Sequence, residues 1–129
     1  FLLHASDGRY YMYGTSLGDG FEAFVSDDLV QWDSCGQVYK GGDSAQWNLD
    51  CFWAPEVYER NGKYYLFYSS NYRVNPTNEG ENFKIGVAVS DSPAGQFVDL
   101  FDRISHYRFE CLFRLRERQV LPLLQPLLL

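Results

Sequence analysis

Trp53 and Glu56 stand three residues apart in the string WAPEV and are the side chains whose chemistry stands out. The flat face of an indole can stack on an apolar surface such as the face of a sugar ring. A carboxylate can accept hydrogen bonds from hydroxyl groups. Each residue also has an ordinary structural interpretation, with Trp53 in the core and Glu56 solvated or paired. The two residues by themselves leave both interpretations open.

The composition limits the classes of function that the chain can have. Its 129 residues are enough for one small domain, and 22% charged with 46% hydrophobic residues is typical of a globular protein. The net charge of −6 argues against a nucleic-acid backbone as partner. No apolar run is long enough to span a membrane. Neither His4 and His106 nor the three cysteines have metal-ligand spacing, so we expect no metal site on them.

The elements that position these side chains are predicted to be short β-strands. An aromatic content of 18% suits the pleated, half-buried surface of a sheet, and no segment has a sustained helical period. The dipeptide Asn61-Gly62 is a strong hairpin signal. Many short strands at close spacing predict an all-β sandwich, barrel or propeller. The predicted strands cover residues 10–13, 22–26, 57–60, 63–68 and 84–90.

An internal repeat favours the propeller. Residues 7–16 resemble residues 61–70 at an offset of 54, and residues 25–27 match residues 89–91 at an offset of 64. A period of this size with about four strands is typical of propeller blades. One blade cannot bury both of its faces, so two blades are expected to be a fragment of something larger.

Three smaller expectations follow from the same strings. Ser26 or Asp27 is expected to cap a short turn. Leu29 and Trp32 are expected to pack between the blades. The paired tyrosines are expected to pack in the sheets rather than to do chemistry.

Four strings, in this order and spacing, closely resemble family 43 glycoside hydrolases. Each string is weakly specific alone, and together they cover about residues 1–100. Gln96 departs from the family, which often has proline there. The strings are GRYYMYGTS at residues 8–16, SDDLVQW at 26–32, WAPEV at 53–57 with NGKYYL at 61–66, and VAVSDSPAGQF at 87–97.

The resemblance implies a five-bladed β-propeller that cleaves xylosides, arabinosides and related plant polysaccharides with inversion. An inverting enzyme uses one carboxylate as base on a water and one carboxylic acid on the leaving group, about 6.5–9.5 Å apart. By the resemblance, the base belongs to an Asp-Pro step about two residues before Phe1, and the acid lies past the end of this chain. A third carboxylate, which tunes the pKa of the acid, falls at the position of Glu110.

The resemblance also implies the ligands. It puts the strand of Trp53 and Glu56 near the floor of a substrate funnel, so both are candidate substrate-binding residues for an oligosaccharide or polysaccharide. Water is the nucleophile and no organic cofactor is needed. Many family propellers hold calcium in the central channel, but no ligand for it can be placed in this sequence. Neither nucleic acid nor membrane is expected as a partner.

The end of the chain differs in composition from the rest. Residues 112–129 contain eight Leu and no Tyr, Gly or Asp. They carry a net charge of +2, from three arginines and one glutamate, whereas residues 1–111 carry 8 basic and 16 acidic groups. An amphipathic helix or a basic-apolar partner segment is one interpretation, but Pro122 and Pro126 would break a helix.

A frameshift is the alternative interpretation of this tail. If the third base of the Glu110 codon is deleted, the next frame permits Phe-Asp-Ala-Ser-Ser from residue 109. In that frame the codons from Glu117 onward permit Asn-Gly-Lys-Tyr-Tyr-Leu-Phe-Tyr-Ser, the same string as residues 61–69. The sequence therefore predicts a propeller fragment over residues 1–110 and an aberrant, frameshifted tail over residues 111–129.

The sequence thus predicts part of an inverting glycoside hydrolase for pentose-containing carbohydrates, with the 129-residue chain itself inactive. One alternative is a non-catalytic carbohydrate-binding propeller, which an Asp-Pro step in the codons before Phe1 would disfavour. Another is a glycoside phosphorylase, which needs a phosphate-binding basic cluster that residues 1–100 do not contain. The compartment is not predicted.

The frameshift can be tested by sequencing the gene with its flanks. We expect CTN codons at Leu121, Leu123 and Leu124, which the shifted frame can read as tyrosine, phenylalanine and tyrosine. We also expect that frame to stay open for two or three more blades. A TTR codon at Leu123, which the shifted frame cannot read as phenylalanine, or a stop codon shortly after Leu129 in the shifted frame, would contradict it.

Overall fold

The computed structural model describes residues 1–74, 76 and 82–100, and these residues form an all-β structure. The strands include the five predicted ones and add β1, β4 and β8. Strand β4 escaped prediction because it is polar and carries Gly36 at a positive φ of 72°. The strands are β1 Leu2–His4, β2 Tyr10–Leu17, β3 Gly20–Ser26, β4 Asp33–Lys40, β5 Trp53–Arg60, β6 Lys63–Asn71, β7 Phe83–Ser90 and β8 Val98–Asp99.

The strands form two four-stranded antiparallel sheets, each with its strands in chain order. Sheet 1 contains β1 to β4, and sheet 2 contains β5 to β8. The predicted hairpin at Asn61-Gly62 joins β5 to β6, with Arg60 opposite Lys63. Both turn residues have positive φ, 50° and 75°, as a two-residue hairpin turn requires. This is the predicted arrangement of two blades.

The main core lies between the two sheets. Alternate residues point to one face of a strand, and the inward residues of both sheets are buried here. Sheet 1 contributes Tyr11, Tyr13 and Phe21, and sheet 2 contributes Leu66 and Tyr68, all at most 5% exposed. The prediction that the paired tyrosines pack in the sheets is therefore confirmed for these residues.

The internal repeat is visible in the contacts as well as in the sequence. Arg9 of blade 1 pairs with Asp27 at 2.8 Å, and the equivalent Lys63 of blade 2 pairs with Asp91 at 2.7 Å. Both pairs are largely exposed, so they contribute little stability. The repeated strings thus fold into equivalent places in the two sheets.

The face of sheet 2 that is turned away from sheet 1 carries a second, smaller buried cluster. Tyr65 and Phe67, the repeat equivalents of Tyr11 and Tyr13, form a second buried cluster with Tyr58 and two valines. These residues alternate with Leu66 and Tyr68, so they lie on the face of sheet 2 turned away from sheet 1.

The opposite face of sheet 1 is more open. Leu2 and Met12 are paired across β1 and β2 and are 52% and 40% exposed.

The prediction that Leu29 packs between blades is wrong for the described residues, because it is 46% exposed at a positive φ of 65°. Ser26 does cap its turn, since its hydroxyl accepts the Leu29 amide at 2.8 Å. No helix in the described part of the chain is long and apolar enough to cross a membrane.

A buried polar joint ties the sheets together at the centre of the core. The hydroxyls of Tyr39 in β4 and Tyr68 in β6 lie 2.7 Å apart. The amide of Asn48 donates to both, at 2.8 and 2.9 Å. Tyr68 donates to the carboxylate of Asp99 at 2.6 Å. Burial raises the pKa of both tyrosines, so the hydroxyls stay protonated and act as donors.

A second, exposed joint connects the turn between β1 and β2 with strand β5. Glu59 of β5 accepts hydrogen bonds from the hydroxyl of Ser6 and from its backbone amide, the latter at 2.8 Å. These hydrogen bonds lower the pKa of the Glu59 carboxyl. The joint is exposed, so water weakens it.

The buried joint predicts an asymmetry between tyrosines. Tyr68→Phe removes a hydroxyl from the joint and leaves Asn48 and Asp99 short of a partner, which costs about 1–3 kcal/mol. Tyr10→Phe, on the outer face of sheet 1, is the matched control and should change stability by less than about 0.5 kcal/mol. Urea unfolding followed by circular dichroism measures both. Equal losses of stability in the two variants would show that the buried Tyr68 hydroxyl contributes no more than an outer-face hydroxyl.

The exposed joint predicts a pH dependence. Because the pKa of folded Glu59 is lowered, its contribution is present above the unfolded pKa, near 4.3, and is lost as the pH falls through the folded value. Glu59→Gln should therefore be less stable than the wild type at pH 7, by about 0.5 kcal/mol, and match it near pH 3. Asp33→Asn controls for the loss of one negative charge. A difference that persists at pH 3 would contradict the assignment.

Candidate functional site

The candidate site lies where the connection between the sheets enters β5. Residues 41–52 leave the outer strand β4 and lead to Trp53, the first residue of β5. Strand β5 contacts β1 and β2, so it lies at the edge where the two sheets meet. The residue before β1 lies beside this strand, since the ring of Phe1 contacts that of Tyr58.

A β-bulge at the start of β5 sets the direction of the tryptophan. Trp53 pairs with Ser69, but the next pair is Glu56 with Phe67, so the register shifts between them. Ala54 has a positive φ of 52°, and Pro55 has no amide hydrogen to donate to a ladder. Bulges of this kind redirect a side chain, and Trp53 is 64% exposed. The alternative that Trp53 is a core residue is wrong for the described residues.

Glu56 is half-buried and held by its neighbour along the same face of β5. The hydroxyl of Tyr58 donates to Oε2 of Glu56 at 2.6 Å. The Tyr58 ring in turn lies 5.6 Å from the ring of Phe1 and 5.9 Å from that of Phe67, between centroids. Among the described residues no hydrogen bond to Oε1 of Glu56 is formed, so this oxygen can accept one from a ligand hydroxyl.

The segment before Trp53 is bound to the end of β6. The Leu49 amide donates to the carbonyl of Asn71, and the Asn71 amide donates to the carbonyl of Asp50, both at 3.0 Å. The Asn71 side chain also donates to the Asp50 carboxylate at 3.1 Å. The connection therefore runs antiparallel to the end of β6 until it reaches the site.

Two of the three predicted site residues lie in the described part of the chain. Trp53 and Glu56 are both at the start of β5, the first with an exposed indole and the second with a half-buried carboxylate held at one oxygen by Tyr58. Glu110 lies outside the described residues, as do His106 and residues 111–129. His4 is exposed and stacks on Tyr10 with 4.4 Å between ring centroids.

Sequence reasoning missed Tyr58, the partner of Glu56. The spacing contained the signal, because residues two apart on a strand share a face. Arg73, which binds the connection before Trp53, had no such signal, since its contacts are about 25 to 31 residues away.

A calcium site is not found in the described part of the chain. No group of three or more His, Cys, Asp or Glu residues is arranged there to hold a metal ion. Cys35 and Cys51 are both free thiols.

Comparison with known proteins identifies the family. Residues 1–110 match the family described as glycosyl hydrolases family 43. The chain belongs to glycoside hydrolase family 43. A relative from Aspergillus clavatus, named "Probable arabinan endo-1,5-alpha-L-arabinosidase C", is 37% identical over 100 residues. Those residues are 73% of this chain and 28% of the relative.

Solved structures of the family have the same arrangement of sheets. An endo-arabinase from Bacteroides thetaiotaomicron matches 80% of this chain and 34% of its own with a TM-score of 0.66 and 32% identity. A family 43 β-xylosidase/α-arabinofuranosidase from a compost microbial metagenome, solved with xylotriose, matches 82% of this chain and 34% of its own. Its TM-score is 0.65 at 25% identity. The all-β propeller-type fold predicted from the sequence is confirmed, and the chain spans about a third of these family 43 proteins.

Proposed function

We propose that residues 1–110 are part of a family 43 catalytic domain that hydrolyses glycosidic bonds in arabinan- or xylan-type carbohydrates with inversion. The observation that carries the proposal is the start of β5, where a chain of this family has an exposed indole and, three residues later, a carboxylate that accepts a hydrogen bond at one oxygen among the described residues. The relatives are named for arabinan and xylan substrates, and one was solved with xylotriose.

Trp53 is the proposed platform for a sugar ring. Its indole is 64% exposed and directly precedes the β-bulge between Trp53 and Glu56. The C–H groups on one face of a pyranose or furanose ring form an apolar surface that can pack on an indole. Burial of this face against Trp53 supplies affinity, and the carboxylate then supplies orientation.

Glu56 is the proposed acceptor for a sugar hydroxyl. The Tyr58 hydroxyl donates to one carboxylate oxygen of Glu56 at 2.6 Å. This hydrogen bond restricts rotation of the carboxylate and so sets where the other oxygen lies. A hydrogen bond from a sugar hydroxyl to an ionised carboxylate is among the stronger neutral-to-charged hydrogen bonds. Glu56 therefore serves binding and orientation in this proposal, not proton transfer.

The catalytic base is proposed to lie at the same end of the molecule. By family resemblance it comes just before Phe1, and the ring of Phe1 contacts Tyr58. Residues preceding Phe1 would therefore lie next to the Glu56 carboxylate. The acid is proposed to come from sequence after residue 129, at about 6.5–9.5 Å from the base, with room for the attacking water.

The third carboxylate and the domain boundary are proposed on the sequence alone. Position 110 corresponds to the carboxylate that raises the pKa of the acid by like-charge repulsion. The match to the family ends at residue 110, which supports a boundary there and a frameshifted tail over residues 111–129.

The proposal predicts a difference between the chain and its extended form. The purified 129-residue chain should give no hydrolysis of nitrophenyl xyloside or nitrophenyl arabinofuranoside, because base and acid are both absent. The restored reading frame, extended upstream and downstream, should hydrolyse one of them, and proton NMR should show the inverted anomer first. Turnover by the 129-residue chain above a heat-treated control would contradict the truncation argument.

Two substitutions in the extended enzyme separate the proposed roles. Trp53→Ala should raise KM by about tenfold or more through lost stacking. Glu56→Gln keeps the shape and should raise KM less, while the pH profile keeps both of its limbs. Loss of one limb in Glu56→Gln would make Glu56 an acid or base instead. Binding without turnover in the extended protein would favour the carbohydrate-binding alternative.

A further inference from the structure

The side chain of Arg73 binds the connection that delivers Trp53. Its Nε donates to the carbonyl of Gln46 at 2.9 Å. One of its terminal nitrogens, Nη2, lies within hydrogen-bond distance of three further carbonyls. These are Gly42 at 2.9 Å, Asp43 at 2.7 Å and Asn48 at 2.9 Å.

This arrangement suits the guanidinium group in particular. Its donors have a fixed planar geometry, so carbonyls separated by up to six residues are gathered at one point. A lysine has one nitrogen with three donors and no such fork. The Arg73 amide adds a fifth contact, to the carbonyl of Trp47 at 2.9 Å.

The same connection is held from the other side by the buried joint. The Asn48 amide donates to Tyr39 and Tyr68, and its carbonyl oxygen Oδ1 accepts the Gly42 amide at 2.8 Å. Residues 42–48 are therefore fixed between Arg73 and the tyrosine pair, directly before the strained residues that flank Trp53.

The backbone around Trp53 needs this support. Cys51 and Ala54 have positive φ values of 54° and 52°, a region that is strained for a residue with a side chain. Such conformations persist only where the surrounding structure imposes them. Trp53 itself is largely exposed, and the Ser69 hydroxyl lies 3.4 Å from its carbonyl oxygen.

We propose that Arg73 is a positioning residue for Trp53. By binding the carbonyls of residues 42–48, it fixes the path of the connection and so the orientation of the indole. This inference rests on the proposed function in one respect, namely that the surface which Arg73 positions is the sugar platform.

The test uses the 129-residue chain labelled with 5-fluorotryptophan. Its three tryptophans give three fluorine NMR signals, and Trp53→Phe assigns that of Trp53. We expect R73Q to shift and broaden the Trp53 signal, R73K to do so less, and the signal of Trp32 to stay in place. R9Q is the matched control, because Arg9 forms an exposed pair with Asp27, and it should leave the Trp53 signal unchanged.

Titration with xylotriose and arabinotriose gives the second readout. We expect R73Q to weaken binding about fivefold, R73K to recover part of it, and R9Q to stay within about twofold of the wild type. A Trp53 signal in R73Q identical to that of the wild type overturns the proposal. A second result also overturns the proposal. In it, R73Q shifts the Trp53 signal but binds the two sugars as tightly as the wild type, although Trp53→Ala abolishes binding.

The failure of the proposed function would look different. If the wild type and Trp53→Ala bind the two sugars equally, or not at all, Trp53 is not a sugar platform, and the fluorine signals alone then decide whether Arg73 positions it. If R73Q does not fold, as judged by proton NMR dispersion, the folded R73K variant decides. A wild-type Trp53 signal in R73K then overturns the inference, and a shifted one supports it.

Discussion

The contact between the two sheets through Tyr39, Tyr68, Asn48 and Asp99 is the constraint on which the rest of the structure depends. Each four-stranded sheet is too thin to bury its own aromatic face, so the sheets must pack on each other. Phenol hydroxyls inside that interface need partners, because an unsatisfied buried hydroxyl costs about 1–3 kcal/mol. Asn48 and Asp99 supply them, and this requirement fixes how the sheets and their connection are aligned.

The candidate site inherits its geometry from this joint. Asn48 lies in the connection that leads to Trp53, so the same amide that completes the tyrosine pair also fixes the path to β5. Arg73 binds the carbonyls of that connection on its other side. A bulge with positive φ at Ala54 then turns the indole outward. The exposed indole of Trp53 thus follows a segment held by buried hydrogen bonds of Asn48, five residues earlier in the chain.

The faces that are not part of this interface differ in exposure. Leu2 and Met12 on sheet 1 are about half exposed, whereas Leu66, the repeat equivalent of Met12 on sheet 2, is buried in the main core. Apolar rows of this kind on a sheet are prone to associate. A chain that spans about a third of its family 43 relatives is expected to show such rows, because neighbouring repeats cover them in a complete propeller.

Local patterns in the sequence determined five of the eight described strands, the hairpin at Asn61-Gly62, the repeat and the family. These features depend on neighbouring residues, since alternation and turn chemistry are local. Trp53 and Glu56 could be named for the same reason, as a string of residues with evident chemistry. Only the tertiary structure decided that Trp53 is exposed, that Leu29 is not packed, and that Arg73 binds the connection before Trp53. Those outcomes depend on carbonyls and rings brought together from distant positions, and no local pattern records which distant groups meet.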